Sequence, residues 1–100
     1  MKTREEYIDI LKSHSSEFKD KFGIDYMCVF DSVARNQHHV GSDIDVFVVM
    51  PPKAYAVCEA EYYIEDLLGV DVDLIRYHKN MRPFFLEQIK KDGITIMGTA

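Results

Sequence analysis

Two aspartates separated by one residue, Asp43 and Asp45, have the side-chain type and spacing best suited to chemistry in this sequence. On a β-strand, residues two apart project from the same face, so both carboxylates would point one way while Ile44 points into the core. Two like charges on one face repel each other unless a cation neutralises them. Hard oxygen ligands suit Mg²⁺, which keeps substrate phosphates in its coordination shell. The pair therefore predicts a metal site; a polar turn that merely starts a strand is the alternative.

A third aspartate, Asp73, lies between Val72 and Leu74 in a later strand pattern, where a solvated charge is less expected. Neighbouring strands lie about 4.8 Å apart, which would allow Asp73 to reach the same cations. Two metals about 3.5–4 Å apart could activate an attacking hydroxyl and stabilise a leaving pyrophosphate. Asp71 shares the predicted face of Asp73, and alternation alone does not choose between them.

A polar turn containing Asp31, Ser32 and Arg35 follows the first apolar run and suits phosphate binding. Backbone N–H groups at a turn into a helix can hold phosphate, and a hydroxyl from Ser32 and a positive charge from Arg35 would add to them. For Arg35 alone, a solvated loop charge is the alternative.

The elements that position these residues follow from capping and periodicity. Thr3 and Glu6 form a capping-box pattern, which predicts one amphipathic helix ending near Gly23. Residues 24–30 predict a first strand. The nearly unbroken apolar character of residues 44–50 predicts a central strand buried on both faces.

The second half of the chain continues the alternation of helices and strands. Residues 51–52 are prolines that suit the first turn of a helix closed by Gly69, and residues 70–75 then alternate as a third strand. Asn80 is the predicted N-cap of another helix, and residues 94–97 predict a short last strand. Strand, helix and strand in succession favour a βαβ crossover, so we expect an α/β fold with helices flanking a small sheet. The first pair of strands is open to an antiparallel arrangement.

Composition narrows the class of protein. A net charge of −5, from 17 acidic and 12 basic side chains, argues against a broad surface for nucleic acid or anionic membrane. Cys28 and Cys58 lack metal-site or disulfide spacing, which favours buried, reduced thiols. No apolar stretch approaches the roughly 20 residues that span a bilayer, and no signal peptide is recognisable. We expect a soluble cytoplasmic protein with a single domain over residues 1–100.

These segments together resemble the minimal nucleotidyltransferases of the DNA polymerase beta superfamily. The family signature is a Gly-Ser turn, a spacer, Asp-hydrophobic-Asp and a later acid on an adjacent strand; residues 30–35, 41–46 and 72–74 match it. The resemblance covers almost the whole chain and implies a polymerase beta-like fold with a mixed sheet. The implied catalytic and Mg²⁺-binding residues are Asp43, Asp45 and Asp73, and the candidate nucleotide-binding residues are Ser32, Arg35 and Ser42. Asp73 would also help to deprotonate the acceptor hydroxyl.

The resemblance further implies a reaction and a partner. Many short members of the family are paired with a helical HEPN protein in toxin–antitoxin systems. There the nucleotidyltransferase is the antitoxin, in some cases by transferring AMP from ATP to a tyrosine of the toxin. We therefore expect Mg²⁺-dependent transfer of a nucleoside monophosphate, with ATP as donor, onto a hydroxyl of a HEPN-type partner. A homo- or hetero-oligomer is compatible with this role.

One residue departs from the family pattern, because Asp31 stands where the family has the glycine before Ser32. Aspartate adds a side chain and a negative charge beside the proposed triphosphate, although it tolerates left-handed geometry better than most residues. The alternative function is therefore a catalytically impaired homologue that neutralises or regulates a helical partner by binding alone.

Overall fold

The computed structural model describes residues 3–30 and 44–98. They form a mixed four-stranded sheet with helices on both faces. The elements are α1 (Arg4–Ser13), α2 (Ser15–Phe22), β1 (Tyr26–Phe30), β2 (Ile44–Val49), α3 (Ala54–Leu68), β3 (Val72–Arg76), α4 (Pro83–Asp92) and β4 (Ile94–Met97). The strand order is β3-β2-β1-β4. This arrangement confirms the predicted α/β class.

The directions of the strands follow from their connections. β1 is antiparallel to both β2 and β4, whereas β2 and β3 are parallel. Two parallel strands need a long crossover, and α3 supplies it. Gly69 ends α3 with a left-handed backbone, at a φ of 71°, where glycine has no steric penalty. The predicted βαβ unit is thus β2-α3-β3.

One face of the sheet, called the apolar face, packs against α1, α2 and α3. It carries alternate strand residues, namely Met27, Val29, Ile44, Val46, Val48, Val72 and Leu74. Leu11, Phe18 and Ile64 reach this face from the three helices and are completely buried. Burying each such side chain stabilises the fold by about 1.5–3 kcal/mol, so this layer supplies most of the core.

The other face, called the acidic face, carries the intervening strand residues. These are Tyr26, Cys28, Phe30, Asp45, Phe47, Asp73 and Ile75. Helix α4 covers part of this face through Phe85, Leu86 and Ile89. The rings of Phe30 and Phe85 meet edge to face, with centroids 6.0 Å apart.

The first predicted helix is wrong in one respect, since it is two helices broken at His14. The carbonyl of Ile10 would normally accept the N–H of His14, but it accepts the Ser13 hydroxyl at 2.7 Å and lies 2.9 Å from His14 Nδ1. The His14 N–H donates to Leu11 instead. These local side-chain groups compete with the helical ladder and change its direction.

Two predicted helix starts also differ from the structure. Lys53, with extended backbone, precedes α3, so the prolines at 51 and 52 lie before its first turn. The N-cap position of α4 is Arg82 and not Asn80, and the Arg82 side chain makes no capping hydrogen bond. The reason is Pro83, which disfavours helical geometry in the residue before it.

The two cysteines differ in their exposure to solvent. Cys28 is buried as predicted, but Cys58 is exposed on α3, so the prediction of two buried thiols is wrong for Cys58. Among the described helices, none combines the length and the apolar character that crossing a membrane requires.

Candidate functional site

Asp45 and Asp73 are direct partners in the parallel ladder between β2 and β3. Neighbouring strands lie about 4.8 Å apart, so the two carboxylates project side by side from the acidic face. Phe30, the last residue of β1, is the partner of Asp45 on its other side. The site therefore lies where β1 ends and where β2 and β3 begin.

Asp45 is only 6% exposed and is the one charged side chain that is buried within residues 3–30 and 44–98. Asp73 is half-buried, and its Oδ2 atom is buried. A carboxylate withdrawn from water is costly, and a second carboxylate across the ladder adds like-charge repulsion. A divalent cation would relieve both costs, which is a physical reason for two acids to occupy this position.

Asp71 is the alternative third acid that alternation left open. It precedes β3, its side chain is exposed, and its backbone carbonyl accepts the N–H of Ile44 at 3.3 Å. It also lines a shallow surface depression beside Glu65 and Gly69 of the α3 end. The ladder thus places Asp73, and not Asp71, opposite Asp45.

The remaining predicted site residues lie outside the described part of the chain. They are Ser32, Arg35, Ser42 and Asp43, together with Asp31, the residue that departs from the family pattern. The two residues that flank this segment, Phe30 and Ile44, both lie at the site.

The donor set of the described site fits a hard divalent cation, because carboxylate oxygens are the ligands that Mg²⁺ prefers. Within the described ranges, no three His, Cys, Asp or Glu side chains meet as a metal-binding group. Asp45 and Asp73 are two candidate ligands in this part of the chain, and Asp43 is the predicted third.

Two glutamates that the sequence patterns did not single out act next to the site. Glu65 Oε2 accepts the backbone N–H of Val72, and Glu61 Oε1 accepts that of Leu74, both at 3.0 Å. These N–H groups flank Asp73 in β3. The sequence signal for these two glutamates is their spacing, since they lie four residues apart on the crossover helix. Solvent-exposed charged residues often have the same spacing, so it does not identify a pair that bonds to a strand.

A cavity of about 340 Å³ opens on the acidic face at the opposite end of the strands from Asp45. Its lining residues are Asp25, Tyr26, Phe47, Val49, Tyr77, Leu86, Ile89 and Lys90. Burial raises the pKa of the Tyr26 hydroxyl, although its hydrogen bond with Thr95 lowers it in part. Phe47, which lines this cavity, lies two residues after Asp45 on the same face of β2.

Comparison with known proteins gives a consistent family. The model of the nucleotidyltransferase domain matches residues 11–96. The candidate protein adenylyltransferase MJ0126 of Methanocaldococcus jannaschii is 36% identical over 98 residues, covering 96% of this chain and 100% of the relative. The protein adenylyltransferase MntA of Thermococcus cleftensis is 38% identical over 77 residues, covering 75% of this chain and 78% of that protein.

Solved structures share the fold at lower sequence identity. A chain from the complex of tri-AMPylated HEPN toxin and MNT antitoxin of Shewanella oneidensis superposes with a TM-score of 0.64 at 19% identity. That match covers 92% of this chain and 73% of the other. A toxin–antitoxin structure with AMP-PNP gives a TM-score of 0.61 at 23% identity, covering 97% and 75%.

Proposed function

The chain belongs to the nucleotidyltransferase domain family, and we propose that it transfers AMP from ATP to a hydroxyl of a helical partner protein. The single observation that carries the proposal is the pairing of Asp45 with Asp73 on the acidic face, with Asp45 buried. The names of the relatives support the choice of AMP and of a protein acceptor.

Nucleotidyltransferases of this family generally use a divalent metal, and we assign Mg²⁺ to this chain. Asp45 and Asp73 would hold the metal together with Asp43. When bound, Mg²⁺ neutralises phosphate charge and lowers the pKa of a coordinated hydroxyl. Ser32, Arg35 and Ser42 would hold the triphosphate, as phosphate groups are held by hydroxyl, guanidinium and backbone donors.

The reaction assigned to the site is an in-line displacement at the α-phosphorus of ATP. A bond forms between the acceptor oxygen and the α-phosphorus while the bond from that phosphorus to the pyrophosphate oxygen breaks. Asp73 is the general base that takes the hydroxyl proton, and pyrophosphate leaves with the electron pair. A carboxylate beside the acceptor oxygen can accept a proton over hydrogen-bond distance, which accounts for this role.

The proposed partner is a HEPN-type toxin, and this chain is the antitoxin that modifies it in the cytoplasm. The support is the content of the similar structures, in which MNT antitoxins accompany HEPN toxins and one toxin carries three AMP groups. The acidic net charge of −5 suits a protein acceptor better than a nucleic acid.

Asp31 supports one alternative, in which the chain neutralises its partner by binding alone. The family glycine before Ser32 allows close approach of the backbone to phosphate, and an aspartate adds negative charge there. In that case the purified chain would bind its partner and transfer no nucleotide.

The separating experiment incubates the purified chain with labelled ATP, Mg²⁺ and a HEPN-type toxin as the candidate partner. We expect label on the partner, and a loss of at least about 10³-fold in the variants Asp45→Asn and Asp73→Asn, because each removes charge from the metal site. Asp9→Asn is the matched control, since Asp9 is an exposed acid on α1.

The outcomes separate the two functions. No label with the native chain, but label with Asp31→Gly, would favour the binding-only function. Equal labelling by the native chain and by both aspartate variants would contradict the proposed chemistry.

A further inference from the structure

Within residues 3–30 and 44–98, strand β3 is an edge of the sheet, since β2 is its single neighbour in the strand order. On an edge strand, alternate N–H groups point away from the sheet and need another acceptor. The N–H groups of Val72 and Leu74 are of this kind, and they meet carboxylates of α3 instead of water or another strand.

The two acceptors match the strand in spacing. Glu61 and Glu65 lie one helical turn apart, a rise of about 6.0 Å, and alternate residues of a strand lie about 6.6 Å apart. Each bond is 3.0 Å long, and each acceptor is an ionisable carboxylate. Charge-assisted bonds are roughly twice as strong as neutral ones, so the pair forms a two-point clamp on β3.

Asp73 is the residue between the two clamped N–H groups. On its other side, β3 is held to β2 by the bonds from Ile44 N–H to the Asp71 carbonyl and from Tyr77 N–H to the Val48 carbonyl, at 3.3 and 2.8 Å. The backbone of Asp73 is therefore fixed from both edges while its carboxylate points to the acidic face, away from α3.

We propose that Glu61 and Glu65 are positioning residues for the reaction, which act by holding the Asp73 carboxylate opposite Asp45. The inference rests on the proposed function, because it operates through Asp73. An error of about 1 Å in a catalytic group can lower a rate by about 100-fold, so a clamp on the strand that carries the general base affects turnover. A purely structural clamp would protect the edge against strand addition and leave metal dependence unchanged.

The test compares Glu61→Ala, Glu65→Ala and the double variant with Glu61→Gln and Glu65→Gln. Glutamine keeps a side-chain oxygen that can accept the same N–H, so it should rescue. Glu59→Ala is the control, because Glu59 is exposed on the same helix. Hydrogen exchange of the Val72 and Leu74 amides reports the clamp, and the ¹³C resonance of the Asp73 carboxyl reports its position.

In the double alanine variant we expect faster exchange at both amides and a shifted Asp73 carboxyl resonance. Turnover should fall about 10- to 100-fold, and the Mg²⁺ concentration for half-maximal transfer should rise about tenfold. Each glutamine variant should stay within about threefold of the native chain. Faster exchange with an unshifted Asp73 resonance and unchanged Mg²⁺ dependence would overturn the proposal.

Failure of the proposed function would be distinguishable from failure of this inference. If the native chain transfers no nucleotide, the proposed function fails, whereas the exchange rates and the Asp73 resonance still test the clamp. An unshifted resonance in the double alanine variant would then refute the positioning role by itself.

Discussion

The two faces of the sheet differ in what their side chains do, although the same strands build both. The apolar face is sealed by α1, α2 and α3 and holds completely buried side chains such as Leu11 and Phe18. The acidic face has α4 as its cover and carries Asp45 and Asp73 at one end. Alternation along each strand thus places most of the apolar core on one face and the candidate site on the other.

Successive residues of β2 make the contrast clear. Val46 is completely buried in the apolar face, whereas Asp45 is buried in the acidic face across from Asp73. A shift of β2 by one residue would place the Asp45 carboxylate in the apolar core, so the register of this strand is strongly specified. The apolar face therefore fixes where the acidic residues point.

The largest expected effect on stability comes from the apolar face. Phe18→Ala should lower the free energy of unfolding by about 3–5 kcal/mol, because Phe18 is completely buried and its ring meets that of Tyr63 edge to face. Urea denaturation measures the change. Phe84→Ala is the control at an aromatic residue that is 64% exposed, and its expected loss is below about 0.5 kcal/mol. Equal losses would remove the contrast between covered and open surfaces.

A smaller loss of stability is expected from a substitution at Gly93, the residue between α4 and β4. A Cβ atom at Gly93 would lie 2.2 Å from Cys28 Sγ and 2.4 Å from the Ile89 carbonyl oxygen. Gly93→Ala should therefore cost about 3 kcal/mol through overpacking. Gly69→Ala is the comparison, since nothing lies within 4 Å of its added Cβ and the left-handed backbone alone costs about 1–2 kcal/mol. Thermal unfolding of both variants would show whether α4 packs tightly on the acidic face at Gly93. A smaller loss of stability in Gly93→Ala than in Gly69→Ala would contradict tight packing there.

The smallest effect is a pH dependence from the acidic face. Burial raises the pKa of Tyr26, so the folded state keeps the phenolic proton at pH values where the unfolded chain has lost it. The folded state then binds more protons, and stability falls as the pH rises above about 10, the ordinary tyrosine value. Urea denaturation between pH 9 and 11 should show a decline that is weaker in Tyr26→Phe; an identical decline in both proteins would assign it to other groups.

The strands and the α/β class could be predicted because apolar runs and turn residues are local signals. Strand direction was left open for the first pair, since alternation carries no information on direction, and the structure shows β1 antiparallel to β2. The break at His14 was missed because it depends on side-chain groups competing for the carbonyl of Ile10.

The candidate site was predictable as a set of acids but not as an arrangement. Asp71 and Asp73 share one strand face in the sequence pattern, and only the register places Asp73 opposite Asp45. The hydrogen bonds of Glu61 and Glu65 to β3 could not be predicted from the sequence, because they depend on how α3 lies along the edge strand. The structure gives the positions of Asp45 and Asp73. Their functional assignments, like those of Ser32, Arg35, Ser42 and Asp43, stay predictions from sequence.

Calorimetric titration of ATP into the purified chain, with and without Mg²⁺, tests whether Asp45 and Asp73 bind the metal that holds the nucleotide. We predict Mg²⁺-dependent binding by the native chain, weakened at least about tenfold in both Asp45→Asn and Asp73→Asn and unchanged in Asp9→Asn. Binding of equal strength in the native chain and in both aspartate variants would contradict the account.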